Sequence, residues 1–319
     1  MLCGMTLNEP IVFEPLSMQR VWGGRRLEAL YHKALPHGVP IGESWELVDR
    51  PEAQSVVHRG ALRGTTLNEL WTGHRKAVFG TAVPDTARFP LLIKLLDARE
   101  TLSVQVHPPE HLAAALGGEP KTEMWYFLHC DPTSKIYAGL REGVTRNLFE
   151  ELLRVGRVED TLHEIPVHAG DAIFIPSGRM HAIGGGNVIA EIQQNSDTTY
   201  RVFDWNRTGL DSKPRALHIE ESLQSIDFSD FTPTLTHAVG ETLVSCPLFE
   251  VERWVLDGPR GAVSDGQFGL FLCLEGSVGV CQLTIHPGEL ILIPACMPDT
   301  ELVPSAPGAT VLRISIPIG

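Results

Sequence analysis

The chain has 319 residues, 43% of them hydrophobic, and a formal net charge of −13. That apolar content is enough to bury a sizeable core, as one large β architecture or as two domains. The acidic balance without any Lys/Arg run argues against a nucleic-acid partner. No segment approaches the roughly 18 apolar residues of a membrane span and no signal-like N-terminus is evident, so a cytoplasmic protein with no membrane partner is expected. Six cysteines, Cys3, Cys130, Cys246, Cys273, Cys281 and Cys296, occur without a C-x-x-C. They read as reduced and mostly buried small hydrophobes.

In chain order, short apolar or alternating runs bounded by Gly, Pro and Asp predominate, which predicts a β-rich protein. IVFEPL, SWELVD and SVVHRG are the first candidate strands. A helix is expected near 66–79, where Thr66-x-x-Glu69 forms a capping box and Gly80 ends the pattern. The runs LLIKLLDA and LSVQVH follow as strands, then a short helix near 109–116 and the strand MWYFLHC. One or two helices are expected within 147–163, started by Asn147-x-x-Glu150, with Leu148, Phe149, Leu152 and Leu153 packing on the core. HEIPV, AIFIP and VIAEIQ complete the strands of this half.

One constellation within these strands carries chemistry. Gln105 and His107 are two residues apart, so on a strand they share a face opposite to Val104 and Val106. Lys121 and Glu123 repeat that spacing, and His181 follows a Gly-x5-Pro-x-Gly-x2-His run. Two imidazoles, a carboxylate and an amide oxygen form a four-ligand set for a divalent ion, with room for water. Lys94 stands within the apolar run FPLLIKLL, where a charge needs a partner or a function. Lys94, Lys121, Arg201 and Arg207 lie within or beside these segments, so an acidic chain still offers a local cationic pocket for an anionic substrate.

An internal repeat adds a second theme. HAGDAIFIPSGRMH at 168–181 is echoed by HPGELILIPACMPD at 286–299, with Cys296 at the position of Gly178 and Asp299 at that of His181. The strands before the second copy, FGLFLCLEGSVGV, contain neither Gln-x-His nor Lys-x-Glu. The division expected is therefore an N-terminal catalytic domain over 1–232 and a metal-free C-terminal domain over 233–319.

The ordered segments VWGGRRL at 21–27, GESWELVDR at 42–50, FPLLIKLLDARETLSVQVHP at 89–108, KTEMWYFL at 121–128, IPSGRMHAIG at 175–184 and IQQNSDTTYRVFDWNR at 192–207 resemble the type I mannose-6-phosphate isomerases, in the short bacterial form that lacks the large helical domain. The resemblance implies tandem cupin (jelly-roll-like) β-barrels with a few helical insertions, in an all-β-dominated fold. It makes Gln105, His107, Glu123 and His181 the ligands of one Zn²⁺ per chain and Arg201 the catalytic arginine. It also places Lys94, Ser103 and Lys121 in the pocket, with Trp22 and Arg207 as further substrate contacts. The implied activity interconverts mannose 6-phosphate and fructose 6-phosphate through an enediol(ate), whose charge a Lewis acid and a guanidinium stabilise. Zinc suits this because it has no redox chemistry. Glu43, Glu46 and Lys121 are the candidates for the general base. A metal-binding cupin oxidoreductase and an inactive sugar-binding cupin are the competing readings. Gln105 in place of a third imidazole weighs against iron.

Overall fold

The computed structural model describes residues 7–264 and 266–317. Cys3 falls outside them. The first half contributes β1 (Leu16–Gly24), β2 (Ile41–Leu47), β3 (Asp49–Arg50), β4 (Ala53–Gln54), β5 (Leu91–Ala98), β6 (Val104–Val106), β7 (Glu123–Cys130), β8 (Lys135–Leu140), β9 (Leu162–Pro166), β10 (Ala172–Ile175), β11 (His181–Ile183), β12 (Asn187–Gln194) and β13 (Tyr200–Phe203). The rest contributes β14 (Thr242–Ser245), β15 (Glu250–Leu256), β16 (Arg260–Gly261), β17 (Gly269–Glu275), β18 (Val278–Val280), β19 (Leu283–Ile285), β20 (Leu290–Ile293), β21 (Glu301–Pro304) and β22 (Ala309–Ser315). The strand-dominated cupin-type fold is as expected. No helix among the described residues is long and apolar enough to cross a membrane.

Two compact units emerge. One comprises Ser17–Ser44 and Ile93–Thr236 and holds most of the sheet β1-β2-β5-β12-β7-β10 together with the sheet β13-β6-β11-β8-β9. Alternation explains its core. Leu96 and Ala98, Trp125 and Phe127, and Ile173 and Ile175 project inward at every second position and meet Ile136, Ala138 and Ile183 of the second sheet. The outer face of the second sheet is also covered: Val104, Val106, Ala182, Tyr200 and Val202 pack with Phe149, Leu223 and Ile226, which come from or adjoin the helices Arg146–Arg154 and Ile219–Ser225. The second sheet is therefore buried on both faces.

The other unit comprises the described residues up to Leu16, Trp45–Leu92 and the described residues from His237 on. Its sheets β14-β15-β22-β17-β20 and β16-β21-β18-β19 enclose Trp254, Phe271, Val278, Ile285, Ile291, Leu302 and Val311. The sequence repeat has the same geometry in both units. The His168 and His286 N–H groups donate to the carboxylates of Asp171 and Glu289 at 2.7 and 2.8 Å. Gly170 and Gly288, at φ of 91° and 85°, turn the chain into β10 and β20, a left-handed conformation that glycine adopts without strain.

The units are discontinuous in sequence, with residues 45–92 grouped with those from 237 on. An aromatic cluster explains this: Trp71 packs edge-on against Phe79 and Phe89, and Phe79 against Phe268, with centroids 4.9, 5.3 and 5.3 Å apart.

The helix expected near 66–79 is two, Leu67–Gly73 and Arg75–Val78, and the Thr66/Glu69 capping box forms. The short helix is Glu110–Ala113. The next, Arg146–Arg154, is capped by Thr145 rather than Asn147, since the Thr145 side chain accepts the Leu148 N–H. The helix starts two residues earlier than expected; Phe149 is buried and Leu148 is 40% exposed, so Leu148 is not a core residue. Of the five described cysteines only Cys273 is buried, contrary to the expectation; Cys281 and Cys296 are exposed in the segments after β18 and β20. Removing the fully buried Phe79 ring should leave a cavity at the aromatic cluster. Phe79→Ala is expected to lower stability by about 3–5 kcal/mol in urea unfolding monitored by tryptophan fluorescence.

Candidate metal and substrate site

The site is set by register across three strands of the doubly covered sheet. Gln105 on β6 pairs with His181 on β11 to one side and with Arg201 on β13 to the other. Val104 and Val106 point into the helix-covered core, which sends Gln105 to the opposite face. His107 continues that face, and Glu123 arrives from β7 of the facing sheet. His107, Glu123 and His181 each offer a ligand atom within 4.8 Å of the other two, and all three residues are buried.

The surrounding bonds aim these atoms. The Nδ1 of His107 contacts the Thr198 carbonyl at 2.9 Å and that of His181 the Arg179 carbonyl at 2.9 Å. Each carbonyl can only accept, so each Nδ1 carries the proton and each Nε2 presents a lone pair. Both Nε2 atoms and Glu123 Oε2 are buried without a hydrogen bond. Such orphans are costly in a protein interior, and a cation at their focus satisfies all three. Trp125 Nε1 donates to Glu123 Oε1 at 2.9 Å and fixes the carboxylate. The donor set thus fits a divalent metal, with Gln105 beside it.

Electrostatics agree. Burial, assisted by the nearby Lys121 charge, pushes His107 down to about 3, and burial likewise lowers His181. Both rings are neutral at ordinary pH, the form a metal requires. Burial alone would raise Glu123, but the Lys121 ammonium holds its carboxyl well below the usual range. Lys121 is opposed by burial, yet Glu123, Glu191 and Asp197 raise its pKa and keep the ammonium charged.

A cavity of about 580 Å³ opens beside this cluster. Of the residues singled out from the sequence, Trp22, Lys94, Ser103, Gln105, Lys121 and Arg201 line it. Arg207 does not. Its guanidinium bonds Asp204 at 2.9 Å and the Thr101 carbonyl at 2.6 Å. Glu46 is not on the wall either, whereas Glu43 is, paired with Arg20 at 2.9 Å. The two glutamates are three apart on β2, an odd separation that sends them to opposite faces.

Sequence reading missed Glu191, Asp197 and Arg215 on the wall. Glu191 is fully within the protein, its carboxyl raised by burial and by Glu123, with Lys94 Nζ at 3.3 Å and Lys121 Nζ at 3.8 Å. The signal that could have found it is the one that marked Lys94: a charge inside an apolar strand, here VIAEIQ. These two charges answer one another across β5 and β12, neighbours in the sheet.

Residues 12–123 match the family model for the phosphomannose isomerase type I catalytic domain. The chain is 37% identical over 299 residues to a mannose-6-phosphate isomerase of Streptococcus mutans, covering 90% of this chain and 93% of that one. It is also 37% identical over 308 residues to the mannose-6-phosphate isomerase ManA of Bacillus subtilis, covering 92% and 96%. A crystal structure of the mannose 6-phosphate isomerase from Bacillus subtilis superposes with a TM-score of 0.86 at 30% identity, over 97% of this chain and all of that one.

If the three buried donors are a metal centre, His107→Ala, Glu123→Ala and His181→Ala should each lose bound divalent metal in elemental analysis. Asp299→Ala, at the exposed counterpart of His181 in the second repeat, should keep its metal content unchanged.

Proposed function

The chain belongs to the type I phosphomannose isomerases, and we infer from that membership and from its site that it is an aldose–ketose isomerase interconverting mannose 6-phosphate and fructose 6-phosphate. Membership of this family favours isomerisation over the oxidoreductase and inactive sugar-binding alternatives. The observation that carries the residue assignments is the rung Arg201–Gln105–His181, which sets a guanidinium, an amide and an imidazole in register on neighbouring strands, the first two lining the cavity.

His107, Glu123, His181 and Gln105 are proposed to hold one Zn²⁺ per chain. Two neutral imidazoles with a carboxylate and an amide oxygen suit zinc. When bound, the ion supplies Lewis-acid stabilisation of negative charge on the sugar oxygens without redox side reactions.

The chain's own residues do the rest. Moving a proton between C2 and C1 while the two oxygens exchange carbonyl and hydroxyl roles builds negative charge on oxygen. Arg201 is assigned to that charge. Burial and the neighbouring Arg215 press its pKa downward, but a guanidinium remains protonated in proteins and so stabilises the anion without surrendering a proton. Lys121, kept charged by its carboxylate neighbours and paired with Glu123 at 3.2 Å, has N–H donors left for the sugar oxygens beside the metal ligands. Lys94 and Ser103 bind and orient the phosphosugar, and the Trp22 ring forms part of the apolar wall. A chain with net charge −13 in this way presents Lys94, Lys121, Arg20, Arg201 and Arg215 around one cavity.

The purified protein should carry about one zinc equivalent. Chelation should abolish coupled isomerase activity yet leave the far-ultraviolet β signal, because the apolar sandwich holds the fold. Stoichiometric iron with oxygen consumption would sink the isomerase reading. Arg201→Ala and Arg201→Lys should lower kcat by roughly 10²-fold or more with a smaller change in KM and metal retained, since the interaction is made chiefly as charge develops. Ser103→Ala and Lys94→Ala should first raise KM. An Arg201→Ala enzyme with unchanged kcat on mannose 6-phosphate would reduce Arg201 to a structural role.

A further inference from the structure

The segment between β13 and the helix Ile219–Ser225 carries Gly209, Leu210, Asp211 and Arg215 to the cavity wall. It leaves the strand through Trp205 and Asn206 at φ of 55° and 54°, a left-handed conformation that asparagine tolerates and that is uncommon for a bulky tryptophan. Asp204 is the anchor. Its Oδ1 accepts from Arg207 Nε at 2.9 Å, its Oδ2 accepts from Arg215 Nε at 2.6 Å, and Arg215 Nη2 completes a fork on Oδ1. One buried carboxylate thereby ties both ends of the loop 205–215.

The residue after Arg215 explains why the tie bears on the reaction. The Ala216 carbonyl accepts the Arg201 Nη1 at 2.8 Å. His218 grips the same arginine's backbone, its N–H donating to the Arg201 carbonyl at 2.8 Å and its Nδ1 accepting the Arg201 N–H at 3.2 Å. Arg201 Nε is buried without a partner, and the hydrogen bond its side chain makes among the described residues goes to Ala216, directly after the tied loop. Asp204 itself stands at the end of the strand that bears Arg201 and makes no part of the cavity wall.

We propose that Asp204 is a positioning residue for Arg201: by holding Arg207 and Arg215 it fixes the loop, and the loop's Ala216 carbonyl aims the Arg201 guanidinium into the cavity. This rests on the catalytic reading of Arg201. The role differs from substrate binding, because Asp204 touches neither the metal cluster nor the cavity.

The test is a double-mutant cycle on the zinc-loaded full chain with mannose 6-phosphate. Asp204→Asn keeps the shape but weakens the charge-assisted bonds to both arginines, and it should lower kcat about tenfold while moving KM less than about threefold. In an Arg201→Ala background the same substitution should change kcat by less than about twofold, because the group it aims is gone. Asp204→Glu retains the charge and tests the same coupling should Asp204→Asn fail to fold. It should give a smaller kcat loss that likewise disappears without Arg201. Equal factors in both backgrounds, or no loss from either Asp204 variant, would overturn the positioning role while Arg201→Ala alone remained defective. Wild-type kcat in Arg201→Ala would instead overturn the reading of Arg201 and the positioning role with it.

Discussion

A strand buried on both faces has to satisfy two different surroundings with alternate residues, and β6 does so in three positions. Val104 and Val106 fill the helix-covered core, and Gln105 between them faces the cavity. Its neighbours in the ladder then fix where His181 and Arg201 stand. A slip of one residue in β6 would exchange its apolar and polar faces, leaving the Gln105 amide in a hydrophobic layer. The helices Arg146–Arg154 and Ile219–Ser225 are therefore part of the site's construction although they donate nothing to it. By burying one face they fix the register that arranges the other.

Polarity inside the sandwich is confined to groups that answer one another. Lys94 faces Glu191, Lys121 lies between Glu191 and Glu123, and Glu123 faces two imidazoles. Burying any one of these charges alone would be prohibitive. As a chain of alternating sign they remain inside and leave the lone pairs of His107 and His181 directed at a shared point. The net acidity of the molecule is no obstacle to an anionic substrate, because it is local placement that sets the field in the cavity.

The two sheet pairs share a turn and a strand pattern but differ in what the inner positions carry. His168–Asp171 and His286–Glu289 close equivalent glycine turns, yet the second copy reaches an exposed Asp299 where the first reaches a buried His181. The backbone bonds that make the turn do not depend on the metal ligands. Such a scaffold can retain its β architecture after losing a site, or acquire one, through side-chain changes on one face.

The sequence by itself determined the features governed by local periodicity and spacing. These include the β-rich character, the Thr66 capping box, the glycine turns of the repeat, and the sharing of one face by Gln105 and His107. Lys94 was legible because a lone charge in an apolar strand is anomalous wherever that strand goes. Four features depended on tertiary structure. Arg207 sits beside Arg201 in the chain, but Asp204 and the Thr101 carbonyl take its donors; Glu43 rather than Glu46 faces the cavity because of the sense in which β2 enters the sheet. Arg215 reaches the wall from a segment with no local mark of function, and Glu191, marked like Lys94 by its apolar run, acquires its partners only when β5 and β12 pair. The grouping of residues 45–92 with the chain beyond 237 followed from an aromatic contact spanning nearly 200 residues of sequence. Periodicity fixes which residues share a face, since that is a property of neighbouring dihedral angles. Which face meets which partner is decided only when distant strands pair and exclude water, because the cost of burying a charge depends on the groups that folding brings beside it.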